Sequence, residues 1–309
     1  MPPDTIALAP ERTKHRPRFR RAAREDRPVF RLTDRDREMI KIIFEYRFIT
    51  AGMLQDLVTP VKLTKNQQDA IEKLRAYKQA GATGTPDGAQ TKTRREILRR
   101  LQMLYHAGYV QRQKLADGEP IIYSLGNLGA DELMLHHGID RQKIDWTTKA
   151  REAGERYIHH GLIISRFRHA LEMALRDVPG VSLDSWIPSG AFKAKVRYQD
   201  TVRTREGTRT QIVDGVVIPD WLFVLKVGDK FIHCFLEADR SKMDHRRYLS
   251  KLKSYYAFYQ TYVRDEKKAG IQQMRVLTVT ISEARKDNLR ETAHHVSSEG
   301  KCLFWFACE

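Results

Sequence analysis

The sequence has few cysteines and no long apolar stretch. Its 309 residues include three cysteines, which are too few and wrongly spaced for a zinc ribbon or a disulfide framework: Cys234, Cys302 and Cys308. We expect them to be reduced thiols. No run of 18 apolar residues occurs, so no membrane span is predicted, and no apolar segment near the N-terminus predicts a secretory signal. The sequence therefore predicts a cytoplasmic protein.

Several catalytic motifs are also missing. Without a G-x-x-x-x-G-K-[ST] loop, an ATP-driven motor is not expected. Tyrosine relaxases hold a metal with a His-hydrophobic-His strand, whereas the histidine pairs here are adjacent: His136-His137, His159-His160 and His294-His295. Adjacent residues point to opposite faces of a strand. The tyrosines at 255, 256, 259 and 262 are therefore interpreted as core and surface of one helix rather than as nucleophiles.

Positive charge, in contrast, is in excess. Lysine and arginine number 55 against 39 acidic residues, which gives a net charge of +16 and predicts a polyanionic partner, most simply nucleic acid. Residues 1–31 are rich in arginine and poor in apolar residues, and we expect a disordered basic arm. Hydrophobic residues make up 41% of the chain, enough for folded domains after this arm.

Residues 32–140 show the pattern of three helices, two strands and a further helix. The segments "LRRLQMLYHAGYVQRQ" and "IIYSLGNLGADEL" resemble a winged helix-turn-helix domain, with an insertion at about 60–90 and a linker at 141–155. The third helix has an apolar face and an opposite cationic face, as suits insertion into the major groove. The predicted DNA-binding residues of this domain are Lys92, Arg94, Arg95, Arg99, Arg100 and, on the following strand, Arg112.

Residues 156–309 alternate helices and strands and predict an α/β domain with a mixed sheet. Strands are expected at 181–188, 213–227, 230–238, 274–281 and 302–306, with helices at 157–175, 244–262 and 282–295. Between the first two strands, Lys193, Lys195 and Arg197 alternate with apolar residues, which puts the cations on one face. This face is either a second DNA-binding surface or an ordinary exposed hairpin face.

The dipeptide Gly228-Asp229 predicts a two-residue hairpin turn. Val227 then faces Lys230, and Asp220 faces Glu237 with Cβ atoms about 5 Å apart. Two buried carboxylates at that distance repel each other unless a divalent cation such as Mg²⁺ or Mn²⁺ binds them. The sequence therefore predicts a metal site at Asp220 and Glu237. Asp239 is either a third acid of this site or a surface acid that pairs with Arg240.

This second half resembles the PD-(D/E)xK nuclease superfamily. Pro219-Asp220 matches its first motif, and Glu237-Ala238-Asp239 stands in place of E-x-K, with Asp239 where a lysine is expected. In some branches that lysine comes from the next helix, which here offers Lys251 and Lys253. The resemblance implies a catalytic set of Asp220, Glu237, Asp239 and Lys251. In this set Lys251 would offset transition-state charge.

A narrower resemblance covers residues 33–260. "HHGLIISRFRHAL", "IPDWLFVL", "FLEADRS" and "KLKSYYAFY" look like the replication-relaxation family of bacterial plasmids and integrative elements. In that family E-x-D-R is usual, and K-x-x-x-Y favours Lys251 over Lys253. The resemblance implies DNA handling in replication, relaxation or transfer, near the nucleoid or a plasmid.

Two function classes follow for a protein that binds double-stranded DNA. The first is a DNA-binding protein with a nuclease-like domain that has no clear activity. The second is a metal-dependent endonuclease or nickase directed by the winged helix. A homodimer is compatible with both classes. Nicking of a supercoiled plasmid in the presence of Mg²⁺ or Mn²⁺ distinguishes them.

Overall fold

A computed structural model describes residues 21, 30–58, 89–144, 154–204, 207–240, 244–265, 270–296 and 303–309. Most of the predicted basic arm, of the insertion and of the linker lies outside these residues. By its contacts the chain forms two units, one of residues 1–45 and 50–151 and one of residues 46–49 and 152–309. The mixture of helices and mixed sheet confirms the predicted α/β class. No helix in the described ranges is long and apolar enough to cross a membrane.

The first unit contains the predicted order of elements. Its helices are α1 (Asp34–Tyr46), α2 (Ala51–Val58), α3 (Ala89–Ala107) and α4 (Asn127–His137), and a 3-10 turn follows at Arg141–Ile144. Its strands are β1 (Ile49–Thr50), β2 (Val110–Gln113) and β3 (Ile122–Leu125), in the order β1-β3-β2. The core is apolar and includes Ile40, Ile43, Leu54, Ile97, Leu101 and Leu104.

Glycine ends α3 where the sequence predicts it. Gly108 has a φ of 100°, a conformation that is strained for other residues, and its N–H donates to the carbonyl of Leu104 at 3.0 Å. After β3, a Cβ at Gly126 would lie 2.4 Å from the carbonyl oxygen of Gly108. These two glycines let β2 leave α3 at once and let α4 begin close beside it.

The second unit has a five-stranded sheet in the order β10-β9-β8-β7-β4. Its strands are β4 (Val181–Pro188), β7 (Trp221–Val227), β8 (Lys230–Asp239), β9 (Gln273–Thr280) and β10 (Phe304–Cys308). Its helices are α5 (Glu155–Leu175), α6 (His245–Phe258), which continues as a π-helical turn at Tyr259–Asp265, and α7 (Glu283–His294). Strand β7 pairs antiparallel with both β4 and β8, and β8, β9 and β10 run parallel to one another.

The single strand predicted at 213–227 is wrong. Two strands occupy this stretch: β6 (Gly207–Val217) and β7, separated by residues 218–220. Pro219 has no N–H to donate to a ladder, so the strand is interrupted at that point. The break lets β6 pair with β5 (Ala194–Thr204) in a separate two-stranded sheet, while β7 enters the central sheet.

Strands β5 and β6 form a long ribbon whose base is attached to α6. Gly215 makes this attachment close, because a Cβ there would lie 2.5 Å from the Ser254 hydroxyl. The Tyr198 hydroxyl lies 3.1 Å from that of Ser250, and Lys253 on the same helix forms an ion pair with Asp200. Beyond Asp200 the described side chains of the ribbon are exposed.

Candidate active site and candidate DNA-binding surfaces

The hairpin register predicted from the two-residue turn is confirmed over the length of β7. Val227 faces Lys230, Val224 faces His233, and Trp221 faces Leu236. The ladder stops there, so Asp220 is not a ladder partner of Glu237. It lies one residue beyond, where its Oδ2 accepts a hydrogen bond from the N–H of Ala238 at 2.9 Å. This bond holds the Asp220 carboxylate beside the residue that follows Glu237.

Glu237 is buried, with 4% of its surface exposed, and both of its oxygens have protein donors. The Lys251 ammonium donates to Oε2, and the Tyr255 hydroxyl donates to Oε1. Burial raises the pKa of Glu237 to about 8; the negative charge of Asp220 also raises it, and Lys251 opposes the increase. A carboxyl group kept in a buried position at such a cost is typical of a functional site.

The pKa of Asp220 is shifted in the opposite direction. Burial alone would raise its pKa, but His160, Lys251 and the N–H of Ala238 together lower it below the usual value. The Nε2 atom of His160 on α5 lies 3.5 Å from Oδ1 of Asp220. The two acids are therefore held differently, one largely by a lysine and a tyrosine and the other largely by a histidine and a backbone amide.

The structure separates the two candidate lysines. Lys251 lies at Glu237, whereas Lys253 forms its ion pair with Asp200 on the ribbon. Strand β8 has Asp239 where a lysine is expected, and Lys251 of α6 supplies a lysine to the Glu237 carboxylate instead. Since Lys251 and Tyr255 are four residues apart, they lie on the same face of the helix, and both reach the Glu237 carboxylate.

Asp239 does not join this cluster. It is buried and accepts hydrogen bonds from Nε of Arg285 at 2.9 Å and from the Thr280 hydroxyl at 3.1 Å. Its expected pairing with Arg240 is also wrong, because the Arg240 guanidinium donates to the carbonyl of Arg156. Among the described residues no group of three or more acidic, histidine or cysteine side chains is arranged to hold a metal ion. A third metal ligand at Asp239 is therefore not supported.

The remaining donor set still fits one divalent cation. Each oxygen of Glu237, and Oδ2 of Asp220, has one protein donor and therefore keeps a further lone pair. Mg²⁺ is commonly bound by one or two carboxylates and completes its coordination with water and substrate phosphate oxygens. Asp220 and Glu237 would be the protein ligands of such an ion.

Sequence reasoning missed two residues of this cluster, His160 and Tyr255. The adjacent histidines 159 and 160 were judged only against a strand, but they lie on α5, where neighbouring side chains point about 100° apart. Tyr255 was assigned to the core, and it is buried there, yet its hydroxyl reaches Glu237. The K-x-x-x-Y spacing on a helix was the signal that placed it beside Lys251.

Helix α3 presents exposed cations on its outer face. Arg94, Arg95 and Arg99 are exposed, while the side chain of Lys92 lies outside the described residues. Arg112 is half-buried on β2, opposite Tyr123. These positions agree with a cationic helix face that is available to a ligand, although their contact with DNA stays a prediction.

Arg100 has a different role from the one predicted. Its guanidinium makes a two-pronged ion pair with Asp36 of α1, with Nε 2.8 Å from Oδ1. It also stacks 4.7 Å from the centre of the Phe30 ring. Asp36 is 1% exposed, so the charge of Arg100 is used inside the unit. This interaction ties α1 to α3, and we do not retain Arg100 as a DNA contact.

The ribbon shows the predicted alternation. Lys193, Lys195 and Arg197 are exposed on one face, while Val196 is buried between them. Nε of Arg197 lies 2.8 Å from Oδ1 of its cross-strand partner Asp214, so this arginine is partly neutralised. The two lysines are the stronger candidates for a second DNA-binding surface.

Comparison with known proteins agrees with the motifs. A family model described as replication-relaxation matches residues 72–274, about two thirds of the chain. The chain belongs to the replication-relaxation family. No curated protein and no solved structure matches it. Membership indicates a role in the replication or relaxation of mobile elements, and with it an interaction with nucleic acid.

Proposed function

We propose that this replication-relaxation protein binds double-stranded DNA through its first unit and cuts a DNA strand at a metal-dependent site in its second unit. One observation carries the proposal: Lys251 of α6 lies on the Glu237 carboxylate, beside Asp220. An acid from the start of one strand, an acid from the next strand and a lysine thus meet in one place. Such a group is typical of a phosphodiester-cleaving site.

Each residue of the cluster has a distinct role in the proposed reaction. Asp220 and Glu237 would hold Mg²⁺ or Mn²⁺, which when bound activates water and polarises the phosphate. The Lys251 ammonium would stabilise negative charge that develops on the phosphate oxygens. Tyr255 fixes the orientation of Glu237 by hydrogen bonding, and His160 does the same for Asp220.

The first unit would bring the site to DNA. Arg94, Arg95 and Arg99 share the exposed face of α3, whose opposite face is buried in the core. A helix of this kind can lie in the major groove, where arginine recognises guanine and phosphate. The plasmid or mobile-element setting of the family agrees with a protein delivered to one DNA site.

Plasmid nicking tests the catalytic half. Wild-type protein should convert supercoiled plasmid to the open circular form with Mg²⁺ or Mn²⁺ and should not do so in EDTA. Asp220→Ala and Glu237→Gln should abolish nicking while DNA binding persists. Asp229→Asn is the matched control, since Asp229 is an exposed acid at the other end of the same hairpin; this variant should nick normally.

One observation favours the alternative of a binding protein without nuclease activity. Both oxygens of Glu237 are already hydrogen-bonded by protein groups, as expected of a carboxylate with a structural role. If purified wild-type protein fails to nick with either metal and crystals soaked in Mn²⁺ show no anomalous peak at Asp220, this alternative replaces the nuclease.

Substitution of Arg94 and Arg95 tests the DNA-binding half. Each change to alanine should weaken binding to a selected target sequence by about 1–3 kcal/mol if the arginine contacts a base edge. Equal losses on target and random duplex would instead assign both residues to phosphate contact. Arg37 is a useful control, because it is held by Glu132 on α4 at 2.7 Å.

A further inference from the structure

Residues 46–49, which run from the last residue of α1 to the first residue of β1, belong by their contacts to the second unit. We propose that Arg47, within this segment, is a phosphate-binding residue of the candidate site. Its guanidinium would contact a backbone phosphate of the DNA strand bound at Asp220 and Glu237. The proposal rests on the nuclease function proposed above and names the residue that holds the backbone of the substrate.

The backbone at Arg47 is unusual. Its φ is 64°, and it is the one residue other than glycine with positive φ in the part of the chain that the structure describes. The N–H of Phe48 donates to the carbonyl of Tyr46 at 2.8 Å, which makes a γ-turn centred on Arg47. Positive-φ γ-turns are rare and strained, and such strain concentrates at functional sites.

Several contacts hold this turn in place. The buried Ser165 hydroxyl on α5 donates to the same Tyr46 carbonyl at 2.7 Å. A Cβ at Gly161 would lie only 2.5 Å from the Phe48 ring, so only glycine lets the ring pack this closely against α5. Gly161 directly follows His160, the residue that contacts Asp220. The strained turn is thus fixed to the same stretch of helix that positions a candidate metal ligand.

The Arg47 side chain lies on the α5 side of the sheet, the side from which His160 reaches Asp220, whereas Glu237 and Lys251 meet on the α6 side. Its guanidinium carbon lies 4.7 Å from the centre of the Trp221 ring, and Trp221 is the residue after Asp220. Among the described residues no carboxylate pairs with Arg47. The indole N–H of Trp221, a residue only 6% exposed, also has no hydrogen-bond partner within the described part of the chain. Of these two donors, the buried indole N–H is closed to a ligand, whereas the half-buried Arg47 guanidinium is a charge that no described carboxylate neutralises.

The charge of the site explains why a second cation is needed. Asp220 and Glu237 would repel a DNA phosphate, and Lys251 is engaged by Glu237. A guanidinium presents a planar set of donors that matches two phosphate oxygens, and stacking on an aromatic ring restricts its orientation. Arg47 combines both properties at a position fixed by the turn.

The experiment compares four variants of the full chain in Mn²⁺-dependent nicking of supercoiled plasmid. Arg47→Ala should slow nicking about 10²-fold, as does removal of one transition-state donor in other enzymes. Arg47→Lys, which keeps the charge, should recover at least tenfold of that loss. Arg47→Gly relaxes the positive φ but also lacks the guanidinium. Its melting temperature should be at least that of Arg47→Ala, and it should nick equally slowly. Arg290→Ala, which removes an exposed arginine paired with Asp287 on α7, should nick like wild type.

A second readout does not depend on catalysis. The slope of log affinity against log salt, measured on a random 30-base-pair duplex in EDTA, falls by about 0.9 for each lost phosphate contact. Arg47→Ala should show this change, and Arg290→Ala should not. If wild type fails to nick but the slope changes, the nuclease function fails and the phosphate contact stands. The assignment of Arg47 is overturned if folded Arg47→Ala nicks as fast as wild type, or if its salt slope equals that of wild type.

Discussion

Each of the two units buries an acid against a cation, yet the two acids respond in opposite ways. In the first unit, burial alone would raise the pKa of Asp36, but donors from Arg100 and Thr33 outweigh burial and lower it. In the second unit, burial raises the pKa of Glu237 to about 8 despite the Lys251 ion pair. Hydrogen bonds and the ion pair outweigh the cost of burying the Asp36 carboxylate, whereas they offset only part of that cost for Glu237.

The difference lies in the number and geometry of the donors. Asp36 receives two guanidinium nitrogens from Arg100 and both the N–H and the hydroxyl of Thr33. Glu237 receives one ammonium and one phenol, and a second acid lies beside it. Hydrogen bonds to the charged form are what stabilise a buried carboxylate. The first pair therefore contributes to fold stability, whereas the second leaves its carboxylate partly uncompensated, as the proposed metal site requires.

Substitution of the two lysines of α6 gives the largest expected difference in rate within a matched pair of variants. Lys251→Met should reduce nicking about 10²- to 10³-fold, because under the proposed function it removes the charge that would stabilise the transition state. Lys253→Met should retain nearly full activity, since Lys253 pairs with Asp200 on the ribbon. Initial rates with Mn²⁺ measure both variants. Equal losses would mean that α6 supports the ribbon rather than the reaction.

Removal of the first acid should come next in size. Asp36→Asn leaves the Arg100 guanidinium without its carboxylate, and we expect a loss of about 2–3 kcal/mol in unfolding free energy, reduced from the value for fully buried pairs because Arg100 is partly exposed. Urea denaturation followed by circular dichroism measures it. Asp34→Asn, a change at a fully exposed acid of the same helix, should have almost no effect.

The second acid should behave differently in the same assay. Glu237→Gln keeps the size and shape of the side chain and removes a negative charge that burial disfavours, and Asp220 remains near Lys251. We expect a change of less than about 1 kcal/mol in unfolding free energy together with complete loss of nicking. A loss as large as that of Asp36→Asn would show that Glu237 supports the fold and would remove the contrast between the units.

The smallest expected effect is a pH dependence of the first pair. The pKa of Asp36 is lowered on folding, so its stabilising contribution is present above the unfolded pKa and is lost as pH falls through the folded value. The melting-temperature difference between wild type and Asp36→Asn should therefore be constant above pH 5 and shrink below about pH 4. A constant difference down to pH 3 would contradict the assigned pKa shift.

Local features of the sequence were sufficient to predict the β7–β8 hairpin that carries the candidate site. The turn at Gly228-Asp229 fixed the register of β7 and β8, and so the nearness of Asp220 to Glu237. The break before β7 was missed because residues 213–217 are as suited to strand as those after Pro219. Both stretches are strand, but they belong to different sheets, and periodicity does not report on which sheet a strand joins.

Partners distant in sequence could not be predicted in the same way. Asp239 binds Arg285, and Arg100 binds Asp36, over separations of 46 and 64 residues. A charge on a helix face looks the same in the sequence whether it meets solvent or an acid from another helix. Arg47 was not singled out for a similar reason, since a positive φ outside glycine leaves no mark in composition.

The attachment of the ribbon has a consequence for how proteins of this type can change. Gly215 and Tyr198 fasten β5 and β6 to α6 near their base, and the same helix carries Lys251. The described side chains toward the tip are exposed, so insertions or deletions there should alter the reach of the ribbon while Lys251 keeps its place. Substitution of Gly215 should have the opposite outcome. Any side chain there would clash with the Ser254 hydroxyl and shift α6, and Lys251 would move with the helix.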